Sequence, residues 1–348
     1  MHFALPPRKS SNPPPYANRS GPRAFSLRRL GRLQSLIVAA VGTVGFLWLV
    51  IHLFSGGGGG RNGKNYVPPG TPKAVVVTVF EETDLASWKE SIMENRRDYA
   101  SRHGYATFFP NSSAYYVGPS STPRSWAILP ALRHAMTLYP HTPYLFHLAP
   151  TALIMRPQLS LEEHLTAPKA IEELMQVDVP VVPPDSVIHT FSHLKGENID
   201  FILSQDTAGL GPGSMIIRTG EWARYFLDAW YDPLYRSYNF QKAERHALEH
   251  LVQWHGTVLA RLALVPQRMI NSYVDAPDAE TPLPKENAYA EGDFVANFDG
   301  CNARILDKEA SQVKALKPKL IRSRNDCETE QAALWGRWKE MIDREGRS

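Results

Sequence analysis

Residues 36–54 form a stretch of 19 without an Asp, Glu, Lys or Arg. As a helix rising about 1.5 Å per residue, such a stretch reaches across roughly 30 Å of hydrocarbon, so it reads as a transmembrane segment. A cleaved signal peptide fits less well, because 35 residues precede the run and no small-x-small cleavage signal follows it. A buried core helix is the remaining alternative. Seven basic residues and no acid lie between Met1 and Ser35, among Pro, Ser and Gly. That composition cannot bury a core, and beside a membrane span its charge places the N-terminus in the cytoplasm. Topology explains these charges more simply than a nucleic-acid site would, so no nucleic-acid partner is expected.

The expected organisation is therefore a disordered basic tail (1–35), a signal-anchor helix (36–54), a Gly- and Pro-rich stem (55–73), a large lumenal domain (74–327) and a C-terminal helix (328–348). The stem contains five consecutive glycines, which makes it a flexible tether. The domain opens with a β-branched run at 74–80, the pattern of a central strand buried on both faces. Capping-box spacing at Ser87 and Glu90 predicts a helix that Gly104 ends. Apolar residues at helical spacing predict a second helix over 125–138, and 105–109 and 144–148 read as strands. Strand, helix, strand, helix, strand is a doubly wound α/β pattern. Further strands are expected at 179–182, 199–203, 214–218, 262–265 and 294–298, with helices at 220–231, 242–254 and 328–343.

The stretch 144–157 reads YLFHLAPTALIMRP: an apolar strand, a turn at Ala149-Pro150-Thr151, and a second apolar run. In open α/β sheets chemistry gathers at such strand ends. Several strings, in order, carry a family resemblance: His103-Gly104-Tyr105, Trp126, Leu132-Arg133, Leu153-Ile154-Met155 with Pro157, Gln205-Asp206, Glu221-Trp222, Asp232-Pro233, Ala247-Leu248-Glu249, Pro266-Gln267-Arg268 and Gly300-Cys301. Together they resemble glycosyltransferase family 34, the α-galactosyl and α-1,6-mannosyltransferase family of fungi and plants, and especially the subunits of fungal Golgi mannan polymerase. The resemblance implies a GT-A fold (a Rossmann-like mixed sheet with flanking helices) behind the transmembrane helix. It also implies a Golgi type II topology, a nucleotide-sugar donor and a retaining hexosyl transfer. The expected activity is transfer of mannose from GDP-mannose in N-glycan outer-chain or mannan elongation, with other mannosyltransferase subunits as partners. Two alternatives stand beside it: a subunit that keeps the fold without the chemistry, and an α-galactosyltransferase using UDP-galactose.

The family's Asp-x-Asp holds Mn²⁺, a hard ion that needs oxygen ligands while it bridges the donor diphosphate. Counting back from Met155 places those positions at Ala149 and Thr151, and the usual histidine ligand falls on Asn297. None of the three is a carboxylate or an imidazole, so no metal is expected to bind. The usual Gln-Asp before Ala-Leu-Glu is likewise replaced, by Arg245-His246. Gln205 and Asp206 survive at a strand end, and Asp206 is the candidate nucleophile or ion-pair partner, with an Asx-turn or helix cap as the plain alternative. Arg218 and Arg268, with Gln267, are candidates for neutralising a donor phosphate without metal.

Three further features bear on the domain. His246, Glu249 and His250 fit the H-x-x-E-H zinc spacing, which the family's own Ala-Leu-Glu partly accounts for. Only two cysteines occur, Cys301 and Cys327; an oxidising lumen would permit a disulfide, and two buried thiols are the other reading. Asn111-Ser112-Ser113 is a glycosylation sequon, usable on the lumenal side.

Overall fold

The computed structural model describes residues 40–46, 67–82, 84, 86–115, 122–182, 186–206, 209–238, 240, 242–274, 285–298 and 317–345. The chain divides into two units, residues 1–65 and 66–348. In the first, only 40–46 are described, and they are helical and exposed. Among the described residues no helix is long and apolar enough to cross a membrane, and the rest of the 36–54 stretch and most of the stem lie outside them.

In the second unit the Val-rich run forms β1 (Ala74–Val77), and all four of its residues are buried. Its neighbours, β2 (Ala106–Phe108) and β3 (Tyr144–Leu148), are both parallel to it. Between them run α1 (Ala86–His103), which Gly104 ends at φ +68°, and α2 (Ile128–Leu138). A 3₁₀ turn, Arg124–Ala127, precedes α2, so the helix expected over 125–138 starts in two pieces. Pro130 is tolerated in its first turn, where an N–H would lack an intrahelical partner anyway.

After β3 the chain makes β4 (Ala152–Ile154), α3 (Pro168–Leu174), β5 (Phe201–Asp206), β6 (Gly209–Arg218), α4 (Glu221–Trp230), α5 (Pro233–Ser237) and α6 (Ala243–Trp254). It ends with α7 (Gly256–Leu259), β7 (Leu262–Leu264), α8 (Gln267–Ile270), β8 (Ser272–Tyr273), β9 (Val295–Asn297) and α9 (Lys317–Glu345). The main sheet has the order β2-β1-β3-β6-β5-β7, and a small second sheet the order β4-β9-β8. The expected mixed α/β sheet with flanking helices is present. It is not doubly wound throughout, because β6 runs antiparallel to both β3 and β5.

Alternation along the strands divides the core. Val75, Val77, Leu145, Phe201 and Leu203 pack with Leu132, Phe226, Trp230 and Leu248, whereas Val76, Phe146, Leu148, Ile202 and Ile216 pack on the other face with Tyr99 and Phe294. Two expectations need correcting. Residues 179–182 form no strand: Pro180 makes only an isolated bridge to His189, and Val182 sits at φ +67°, which breaks an extended run. The C-terminal helix begins at Lys317 rather than 328. It is also part of the domain, since Leu334 and Trp338 are buried against Ile92, Leu153, Met155 and Phe298.

Candidate active site at the β3–β4 turn

The turn between β3 and β4 is held from below by α1. Asn95 pairs with Ile154 in both directions, its Nδ2 donating to the carbonyl and its Oδ1 accepting from the amide, each at 3.0 Å. Arg96, fully buried, donates to the carbonyls of Ala152 at 2.6 Å and Ala149 at 3.2 Å. Burial lowers its pKa to about 9, so the guanidinium remains charged at neutral pH although it faces carbonyls rather than a carboxylate. On β3, His147 is also buried, and desolvation lowers its pKa to about 4. The Arg96 charge pushes in the same direction, against an opposing contact with the Val77 backbone. The turn thus rests on one buried cation and one neutral imidazole.

Above this base the three expected metal positions do converge. Ala152 pairs with Asn297 across β4 and β9, and Thr151 Oγ1 donates to Asn297 Oδ1 at 2.8 Å. Asn297 Nδ2 in turn donates to Asn271 Oδ1 at 2.8 Å, and both asparagines are fully buried. A hydroxyl and two amides are therefore joined in a neutral chain, with Asn271 Nδ2 left unpartnered at its end. A Mn²⁺ ion would need oxygen donors that carry charge, and Ala149 has no donor atom. The residues present do not fit the metal, and among the described residues no group of three or more His, Cys, Asp or Glu could hold one.

Strand β6 passes alongside with glycines where side chains would collide. A Cβ on Gly213 would lie 3.2 Å from Asn297 Nδ2, and one on Gly211 would lie 3.3 Å from Asn271 Nδ2 and 3.6 Å from Tyr273 Oη. At Gly209, φ +125°, it would meet Glu249 Oε1 at 1.9 Å. The glycines thus open a row in which Asn297, Asn271, Tyr273 and Glu249 lie along one strand. Gly209 can be nothing else without moving Glu249, whose Oε1 also accepts from Leu210 N at 3.2 Å.

Asp206, at the end of β5, belongs to this row. Its Oδ1 accepts from Arg245 Nη2 at 2.6 Å and its Oδ2 from Tyr273 Oη at 3.0 Å. Arg245 Nε lies 3.4 Å from Glu249 Oε1. Burial works against the Arg245 charge, but Asp206 and Glu249 outweigh it and hold the pKa above its ordinary value. Of the two roles expected for Asp206, the structure displays the ion-pair partner. Each of its carboxylate oxygens accepts a hydrogen bond, one from Arg245 and one from Tyr273.

The other candidates fall in different places. Gln205 fastens the neighbouring loop: its Nε2 donates to Pro180 O at 2.8 Å, and Val182 N donates to its Oε1 at 3.3 Å. Gln267 is buried close to the site, donating to Asn271 O at 3.2 Å, with its Oε1 unpartnered. Arg268 is paired with Asp293, Nε to Oδ1 at 2.8 Å, although its side chain is half exposed. Arg218 is not in the site at all. It pairs across the sheet with Tyr144, at the far end of β3 from Ala149, and donates to Glu197 O at 2.8 Å. A parallel β6 would have brought it to the site; the antiparallel direction removes it by the length of β3, roughly 13 Å.

His246 Nε2 lies 3.8 Å from Glu249 Oε2, whereas His250 Nδ1 faces Tyr235 Oη at 3.0 Å; the three members of the zinc spacing do not converge. Asn111 Oδ1 accepts from Ser113 N and Oγ, both at 3.1 Å, beside an exposed Ser113. Cys301 and the side chain of Cys327 lie outside the described residues. Sequence reasoning did not single out Asn95, Arg96, Asn271 or Tyr273. None of the four carries a local sequence signal of its role.

Residues 70–307 match the galactosyl transferase GMA12/MNN10 family. The chain belongs to this family of hexosyltransferases. It is 31% identical over 273 residues to a Schizosaccharomyces pombe protein named "Uncharacterized alpha-1,2-galactosyltransferase C8D2.17", which covers 74% of this chain and 81% of that one. It is 28% identical over 271 residues to the Saccharomyces cerevisiae protein named "Probable alpha-1,6-mannosyltransferase MNN10", with 70% and 68% covered. Among solved structures, a glycosyltransferase involved in glycosylation of the major capsid of PBCV-1 aligns with TM-score 0.44 and 11% identity, over 66% of this chain and 94% of that one.

Proposed function

We propose that this chain is a Golgi type II subunit of a mannosyltransferase assembly that extends glycan outer chains, keeping a GT-A framework but performing no metal-dependent transfer of its own. The observation that carries the reading is the neutral Thr151–Asn297–Asn271 chain at the positions where the family places metal ligands. Without the ion, the charge that develops on a departing nucleoside diphosphate meets no uncompensated cation in this chain of bonds among the described residues. Arg245, the nearest cation in the row, is already held by Asp206 and Glu249. The lumenal orientation is supported by the basic flank before residues 36–54. A second reading, an α-galactosyl rather than a mannosyl donor, is favoured by the names of relatives in Schizosaccharomyces pombe.

Calorimetry on the purified chain, with GDP-mannose and UDP-galactose, each with and without Mn²⁺, tests both readings. The expected result is that Mn²⁺ changes the affinity for neither donor and that the chain alone transfers no sugar. Mn²⁺-stimulated transfer would overturn the proposal. Tight metal-free binding of UDP-galactose alone would favour the second reading.

A further inference from the structure

The row of polar residues along β6 does not end at Glu249. It continues onto α5 and α6 as a chain of aromatic rings, of which Tyr235 and Phe240 pack partly against the core and Trp254 and Tyr238 stand exposed. His246, His250 and Trp254 recur every fourth residue along α6, which sets them on one face of the helix. Tyr235, Tyr238 and Phe240 lie against that face. Ring centroids follow one another at 5.9 Å from Trp254 to His250, 5.4 Å from His250 to Tyr235, 6.4 Å from Tyr235 to Phe240 and 5.8 Å from Phe240 to His246. Tyr238 joins at 5.4 Å from Phe240. Trp254 is 73% exposed and Tyr238 is 53% exposed. A single exposed ring is ordinary; two exposed rings joined through partly buried ones make a continuous aromatic surface that a ligand can use.

We propose that this row is a subsite for a neutral oligosaccharide chain, the acceptor glycan, laid from Trp254 toward Asp206. The inference rests on the glycan-elongation reading above. A pyranose offers C–H faces that pack on the negative face of an aromatic ring, and hydroxyls around its rim that need polar partners. The row supplies both: phenol hydroxyls and imidazole nitrogens alternate with ring faces, and where Tyr235 Oη and His250 Nδ1 bond each other at 3.0 Å the hydroxyl and the second imidazole nitrogen keep further hydrogen-bonding capacity. The row also leads somewhere: His246, its last ring, lies 3.8 Å from Glu249, which lies 3.4 Å from Arg245, the partner of Asp206. A lipid surface fits less well, since one end of the row abuts a charged cluster that would resist transfer out of water.

The test titrates α-1,6-linked mannotetraose into the purified full chain in detergent micelles, read by tryptophan fluorescence and saturation-transfer NMR. Trp254→Ala and Tyr238→Ala should each weaken binding by about fivefold to tenfold with an unchanged thermal midpoint, as expected for exposed side chains. Unchanged affinity in both variants would overturn the subsite. So would a shift of Trp254→Ala from dimer to monomer with unchanged sugar affinity, which would make the row a self-association face. Loss of vesicle binding in both variants with unchanged sugar affinity would make it a membrane contact and overturn it as well. Failure of the native chain to bind the tetraose would also end the subsite. The elongation reading itself falls only if cells lacking the chain build outer chains of normal length.

Discussion

The two halves of the β6-lined row handle charge in opposite ways. At the β3–β4 turn, Ala149, Thr151, Asn297 and Asn271 meet without a formal charge among them, and the hydrogen bonds that join Thr151, Asn297 and Asn271 run between neutral groups, with Asn271 Nδ2 left unpartnered. Farther along, Asp206 and Glu249 keep their carboxylates, and Arg245 is inserted between them. A metal centre needs carboxylates that the protein leaves uncompensated, since their excess charge is what holds the ion. Neither half offers that: one has shed its acids, and the other has neutralised them internally. Among the described residues the polar groups of both halves are engaged mainly with one another.

The largest effect should come from removing the cation beneath the neutral half. Arg96→Met keeps much of the volume but takes the guanidinium donor from the Ala152 carbonyl and leaves the Ala149 carbonyl only the Ala152 amide, in a dry site, at a cost of about 3 kcal/mol. Urea unfolding measures it; a loss under about 1 kcal/mol would mean that the turn does not depend on α1. His147 sharpens the same point. Its folded pKa of about 4 lies below the ordinary 6.5, so both states are neutral above pH 6.5 and the penalty is absent there. As pH falls from 6.5 toward 4, the unfolded chain takes up a proton that the native site refuses, and stability declines by up to about 3 kcal/mol. His147→Leu should flatten that part of the stability profile, and an unchanged slope would place the titration elsewhere.

In the charged half, Arg245→Ala strands Asp206 and Glu249 together. Because the pair is partly open to solvent, the cost should be about 2 kcal/mol, and Arg245→Lys should recover part of it. The same variant tests whether the compensation can be transferred. With Arg245 gone, a divalent ion should stabilise the variant and not the native chain, read as a rise in melting temperature on adding Mn²⁺. No difference between the two would mean that these acids do not behave as an anionic pair.

Much of the frame was legible in the sequence because it depends on local pattern. The valines of β1 announce a strand buried on both faces, and Gly104 stops α1 where a left-handed residue is needed. The turn at Ala149-Pro150-Thr151 follows an apolar run, and the convergence of 149, 151 and 297 was readable through the resemblance. Strand direction was not legible. The apolar residues of β6 would read the same in either direction, so Arg218 was assigned to the wrong end of the sheet. Arg96 was invisible for another reason: its partners Ala149 and Ala152 lie 53 and 56 residues away, and nothing in a helix sequence distinguishes an arginine that will be buried from one that will be solvated.

The smallest expected effect examines the neutral chain one bond at a time. Thr151→Val removes the hydroxyl that donates to Asn297 Oδ1 and replaces it with a group of similar shape, so the loss is one hydrogen bond and one partly stranded acceptor, about 1 kcal/mol. Asn297→Ala removes the middle of the chain and leaves Asn271 Oδ1 without its donor, which should cost more, about 2 kcal/mol. If the residues form one network, the double variant should cost less than the sum of the two, because Thr151 has no acceptor left to lose once Asn297 is gone. Adding Mn²⁺ should change neither single value. Strict additivity in unfolding measurements would show that Thr151 and Asn297 act independently. A Mn²⁺-dependent gain in the native chain, absent from both single variants, would show that these oxygens were ligands after all and restore the metal-dependent reading.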